Sequence, residues 1–215
     1  MIKIELNKKI ETLAKERFYA ELSEKNKIVQ KIADLCEPYL KEHPRDTDIW
    51  IKLALDVYTT PYADDIMAEE CLNTVLSYDS TNPHALLVLS YIQSHWKYIS
   101  HETFEKLFLV KDNDNEIMSM IEYVKSWYYL EQKDDILYQK ALEDSVALCQ
   151  KHVRNCGDLS GLYIEQGRIE EGEKLKAIWL ANREQIPDYP SPGTFYDLTD
   201  VNYFLDGRIK GIRRY

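Results

Sequence analysis

The chain has 215 residues and a formal net charge of -10 at pH 7, from 37 acidic and 27 basic side chains. Glycine and proline number seven each, 45% of residues are apolar and 12% are aromatic. This composition favours an all-helical protein with a buried core and argues against a disordered chain. Because no apolar run approaches the roughly 20 residues that cross a bilayer and no secretory leader is recognisable, we expect a cytoplasmic protein without a membrane partner.

Apolar residues recur at spacings of three and four along most of the chain, which predicts amphipathic helices. The first is predicted to begin near Asn7, and Ser23 is predicted to cap a second helix that ends at His43-Pro44. Further helices are predicted at about 47–60, 63–78, 83–98, 101–110, 115–130, 133–152, 156–166 and 168–185. Asp and Asn at 112–116 are interpreted as turn and cap residues, because the calcium-loop spacing is not met. The pattern predicts five consecutive helical hairpins.

Two segments resemble the tetratricopeptide repeat (TPR). The first is Trp50-x2-Leu53-Ala54-x3-Tyr58 followed by Ala68-x3-Leu72-x2-Val75-Leu76-Ser77-Tyr78, and the second is Leu159-Ser160-x2-Tyr163-x3-Gly167-Arg168-x-Glu170-Glu171-Gly172. The resemblance implies an all-α, right-handed helical-repeat solenoid over residues 1–186, with 1–45 as a capping hairpin. Residues 187–215 are predicted to form a short non-repeat extension, as a hairpin or a helix, that packs on the last repeats or contacts a partner.

In a stack of such hairpins, the first helix of each repeat lines a groove. With Trp50, Leu86 and Met118 taken as buried anchors, the residues five and nine positions further along should face that groove. The resulting candidates for partner binding are Leu55, Thr59, Tyr91, His95, Tyr123 and Trp127. Their aromatic rings would anchor a bound segment, or alternatively would fill the inner curve of the repeats.

The negative charge is concentrated in the middle of the chain. Residues 46–110 contain ten acidic and three basic side chains, a balance of -7. Such a field repels nucleic acid and attracts basic partners. The sequence therefore predicts a protein-interaction module for a basic or amphipathic protein segment. Narrower possibilities are an intracellular inhibitor, such as an immunity protein for a basic toxin, and a TPR-like chaperone for a secreted protein.

No catalytic motif, metal-binding spacing or cofactor fingerprint is recognisable, so neither a catalytic nor a metal site is predicted. The cluster Cys149, His152 and Cys156 is interpreted as accidental, and all four cysteines as free thiols. The opposing hypothesis is an enzyme with a site on His95, Tyr91 and Glu122, which rests on one histidine without a motif.

Overall fold

The computed structural model describes residues 1–58, 65–96, 99–151 and 154–184. Within these ranges the side chains not described are Lys15, Phe18, Tyr19, Leu22, His95 and Trp96. Thr59, His152 and the predicted extension at 187–215 lie outside the described residues. The described ranges contain α-helices and no strand, which confirms the all-α prediction. None of these helices has the length and hydrophobicity to span a bilayer. The solenoid arrangement and the domain boundaries stay predictions.

Ten helices follow one another in these ranges. They are α1 (Lys3–Tyr19), α2 (Leu22–Glu42), α3 (Thr47–Tyr58), α4 (Asp65–Tyr78), α5 (Pro83–Trp96), α6 (His101–Leu109), α7 (Asn115–Glu131), α8 (Asp135–Leu148), α9 (Asn155–Glu165) and α10 (Ile169–Glu184). Polar side chains at the helix starts explain several of these bounds. Asp114 accepts from the backbone N–H of Glu116 at 2.8 Å, and Asn82 accepts from that of Ala85 at 3.0 Å.

Two predicted helix caps are wrong. Helix α1 begins at Lys3, and Asn7 lies inside it, where its side chain accepts a hydrogen bond from Lys52 at 2.5 Å instead of capping. Helix α2 begins one residue before Ser23, because the N–H groups of Glu24 and Lys25 already bond to the Glu21 carbonyl. Both errors arise because a residue suited to capping can serve another contact or lie within the first turn.

The described residues form two compact units that divide inside α5, within Met1–Ile92 and Gln93–Phe204 respectively. In the first unit, α1 packs on α2, α2 on α3 and α3 on α4. Fully buried side chains of its core include Leu6, Ile10, Ile32, Ile49, Ile51 and Leu72. Polar contacts fix the corner between α2 and α3, where Lys3 Nζ lies 2.7 Å from both Asp46 and Asp48, and the Tyr39 hydroxyl donates to Asp46 at 2.7 Å.

In the second unit, each helix from α6 to α10 packs on the next along the chain. A buried polar network joins three of them. Asn155 of α9 donates to the Cys149 carbonyl at 2.8 Å and to the Ser145 hydroxyl at 3.0 Å, while the Ser119 hydroxyl of α7 donates to the Ser145 carbonyl at 2.7 Å. A buried polar group without a hydrogen-bond partner destabilises the fold, so this network favours one relative placement of α7, α8 and α9.

Candidate functional site

Four of the six residues predicted to line a groove are described with their side chains. Leu55 and Tyr91 of the first unit are buried, with exposed fractions of 5% and 2%, and Tyr123 of the second unit is 2% exposed. Trp127 is half-buried, and its ring meets that of Tyr123 nearly edge-on with centroids 5.1 Å apart. In this conformation three of these four side chains offer little surface to a partner. The binding role of the predicted set stays a prediction.

Tyr123 has an internal polar partner. Its hydroxyl donates to the Asp158 carboxylate at 2.7 Å, which links α7 to α9. Burial raises the pKa of Asp158, and the Tyr123 hydrogen bond and the nearby Arg154 charge offset this only in part. Glu122, the carboxylate of the alternative enzyme site, lies 2.7 Å from Lys125 Nζ. Both carboxylates thus have partners within the second unit.

A cleft of about 420 Å³ lies in the first unit between α2 and α4, with α3 beneath it. Its floor consists of apolar side chains from all three helices. They are Ala33 and Leu40 of α2, Trp50 and Leu53 of α3, and Met67 and Cys71 of α4. Trp50 and Met67 are half-buried. The other four are buried, so Trp50 and Met67 supply most of the apolar surface that a partner could contact in this cleft, which we call the α2–α3–α4 cleft.

The rim of the α2–α3–α4 cleft is polar and acidic. Glu37 lies 2.7 Å from Lys41, and Asp34 accepts from the Gln30 side chain at 2.8 Å. The Glu70 carboxylate on the opposite wall has neither an ion pair nor a hydrogen bond within the described part of the chain. Three carboxylates with one ammonium leave the rim with a net negative charge, and cations of a partner would be attracted to it.

Helical periodicity places these residues together. The lining positions of α4 are 67, 70, 71 and 74, and those of α2 are 30, 33, 34, 37, 40 and 41. Residues at such spacings share one face of a helix, so each wall contributes a single stripe. Trp50 is oriented by a hydrogen bond from its Nε1 to the Pro44 carbonyl at 2.9 Å. This hydrogen bond holds the Trp50 ring in place on the floor in the absence of a partner.

A second concavity of about 560 Å³ lies at the corner between α2 and α3. Its lining includes Lys3, Tyr39, Arg45, Asp46 and Asp48. The ammonium of Lys3 pairs with both carboxylates, and these contacts hold the pKa of Asp46 below its usual value despite partial burial. Since Lys3, Asp46 and Asp48 already pair with one another, these three side chains are less available to a charged ligand than the carboxylates of the smaller cleft.

The described residues contain no group of three or more His, Cys, Asp or Glu side chains that could hold a metal ion. The four cysteines are free. Burial raises the pKa of Cys36 and of Cys156 to about 12. These two thiols are therefore protonated at neutral pH and poor nucleophiles.

No protein-family model matches this chain, and no curated protein matches it. The site is consequently assigned from its own chemistry. The repeat register predicted from the sequence takes Trp50 as a buried anchor, whereas in the structure it is half-buried on the cleft floor. The predicted binding residues came only from the first helix of each repeat, so they did not include Met67 and Glu70, which lie in α4. The alternation of apolar and polar residues in Met67-x2-Glu70-Cys71-x2-Thr74 is the local signal for this wall.

Proposed function

We propose that this protein is a non-enzymatic, TPR-like interaction module of the cytoplasm that binds a basic or amphipathic segment of a partner protein. The α2–α3–α4 cleft is the observation that carries the proposal. It combines an apolar floor, from Trp50 and Met67 among others, with an acidic rim on both walls. Apolar surface bounded by polar residues is typical of protein-interaction sites.

The floor and the rim would contribute differently to binding. Burial of apolar surface from water supplies affinity, at about 25 cal/mol per Å² before the costs of association. The carboxylates supply orientation and a faster encounter with a cationic partner. Glu70 and Asp34 contribute most directly to this second effect, because within the described part of the chain neither is paired with a cation, whereas Glu37 pairs with Lys41.

The charge of the whole chain supports the same class of partner. Of the net -10, the segment 46–110, which contains α3 and α4, accounts for -7. Long-range attraction toward this region would enrich basic segments near the cleft, and added salt would screen it over about 8–10 Å at ordinary ionic strength.

The proposal is tested by affinity capture and mass spectrometry with two matched variants of the full chain. The cleft variant replaces the three rim carboxylates: Asp34→Asn/Glu37→Gln/Glu70→Gln. The control variant replaces three exposed carboxylates of the first unit that do not line the cleft: Glu16→Gln/Glu24→Gln/Glu42→Gln. Both variants change the net charge equally, and neither removes a buried side chain.

We expect a set of proteins that is recovered by the wild type and the control variant, and is depleted with the cleft variant. A basic toxin in that set would identify the inhibitor role, and a secreted protein would identify the chaperone role. Equal recovery of every partner by the cleft variant, with its circular dichroism unchanged, would contradict the assignment of binding to this cleft.

A further inference from the structure

We infer that the segment bound in the α2–α3–α4 cleft is a short amphipathic helix with one apolar stripe flanked by Lys or Arg. The inference rests on the proposed function and specifies the conformation and chemistry of the partner. It follows from the shape of the walls, the state of their backbone groups and the positions of the rim charges.

Each wall of the cleft is one stripe along a helix, and α2 contains Pro38 between its lining residues Glu37 and Leu40. The lining residues of α2 run from Gln30 to Lys41, which corresponds to about 16 Å at 1.5 Å per residue. Those of α4 run from Met67 to Thr74, about 10 Å by the same rise. A helix of two to three turns has this length, and its own stripe at i, i+3, i+4 and i+7 would lie along the floor.

The backbone of the walls favours a helical partner over an extended one. Because the lining positions lie within α2, α3 and α4, their N–H and C=O groups belong mainly to the hydrogen bonds of those helices. An extended segment would bury its own backbone N–H and C=O groups against an apolar floor, where they would lose their hydrogen bonds to water. A helix satisfies these groups internally, so it loses far less on entering the cleft.

The rim places carboxylates on both sides of the floor. Asp34 and Glu37 are one turn apart on α2, and Glu70 lies on α4. A helix seated on Trp50 and Met67 would therefore meet negative charge along both edges of its apolar stripe. Lys and Arg suit these flanking positions, since their long side chains reach outward while their apolar stems cover the rim.

Three synthetic peptides of identical composition, about 14 residues of Leu, Lys and Ala, test the inference. In the helical peptide, Leu recurs at i, i+3, i+4 and i+7 with Lys on both flanks. In the shuffled peptide, the same residues are ordered so that no apolar stripe forms on a helix. The broken peptide keeps the order of the helical one but carries D-residues at two central positions, which prevents the helix. Binding is measured by fluorescence anisotropy with the full-length chain.

We expect the helical peptide to bind the wild type at least about tenfold more tightly than either other peptide. The cleft variant should weaken this binding by about tenfold at low salt, whereas the control variant should leave it within about twofold. Met67→Lys provides an independent test of the floor, and it should weaken binding similarly by placing a like charge under the peptide.

The outcomes separate the two proposals. If the broken peptide binds as tightly as the helical one and the cleft variant weakens both, the helical conformation is wrong and the proposed function stands. If no peptide binds in a manner that depends on the three rim carboxylates or Met67, the inference is overturned. The affinity-capture experiment then tests the proposed function independently of the peptides.

Discussion

Gly172 lies where α10 approaches α9 closely, and a side chain there would collide with the neighbouring helix. A β-carbon built on Gly172 would lie 2.6 Å from Ile164 Cγ1 and 3.0 Å from the Ser160 carbonyl oxygen. The two helices are also tied at this point, because the Ser160 hydroxyl donates to the Gly172 carbonyl at 2.8 Å. We therefore expect Gly172→Ala to destabilise the α9–α10 pair.

Two opposing effects set the size of the change. Alanine is favoured over glycine in the interior of a helix by about 1 kcal/mol. Overpacking a tight contact typically costs about 1–3 kcal/mol. The Ser160 oxygen belongs to a helix backbone and cannot move aside cheaply, so the collision should exceed the gain. Gly172→Ala should lower the free energy of unfolding by up to about 2 kcal/mol.

Gly161 provides the matched control within the same helix pair. It lies in α9, is exposed, and a β-carbon there would have no atom within 4 Å. Gly161→Ala should raise the free energy of unfolding by about 0.5–1 kcal/mol. Urea denaturation followed by far-ultraviolet circular dichroism measures both changes. Equal stabilisation by the two substitutions would refute the close approach of α9 and α10.

Two further predictions concern titratable groups whose pKa is raised by burial. Because the folded-state pKa of Asp158 is raised, its protonated form stabilises the fold below the unfolded pKa, and this stability is lost as the pH rises through the folded pKa. Asp158→Asn keeps an acceptor for Tyr123 but carries no charge at either pH. The urea midpoint of the variant minus that of the wild type should therefore be larger at pH 7 than at pH 4. A difference that does not depend on pH would contradict this. Cys36 and Cys156 should resist iodoacetamide at pH 8 in the folded protein and react in urea; rapid alkylation of either in the native state would count against their burial.

Much of the helical organisation could be predicted from local sequence patterns. Apolar residues at spacings of three and four located the helices, and turn residues such as Asp114, Asn82 and Gly167 marked their boundaries. Gly167 adopts a φ of 80°, which glycine reaches without strain, at the predicted turn between α9 and α10. Caps at Asn7 and Ser23 were wrong, because other hydrogen bonds decide where those two helices begin.

The candidate site was less accessible to sequence reasoning, because it depends on three helices packing together. A local pattern shows that Tyr91 and Tyr123 lie on apolar faces, but only the packed structure shows that both are almost fully buried. Conversely, Trp50 is suited to a buried position, yet the α2 and α4 walls leave it half-buried. Glu70 and Asp34 line the same cleft from different helices although they lie far apart in sequence, and no local spacing predicts this.

Binding in the α2–α3–α4 cleft is tested most directly by NMR, which follows the indole N–H signals of the four tryptophans while the helical peptide is added. Trp50→Phe assigns the Trp50 signal, and Trp179 of the second unit serves as an internal reference. We predict that the Trp50 signal shifts saturably with the dissociation constant measured by anisotropy, that the Trp179 signal stays in place, and that the cleft variant weakens the response. Saturable peptide binding with an unchanged Trp50 signal would contradict the cleft as the binding site.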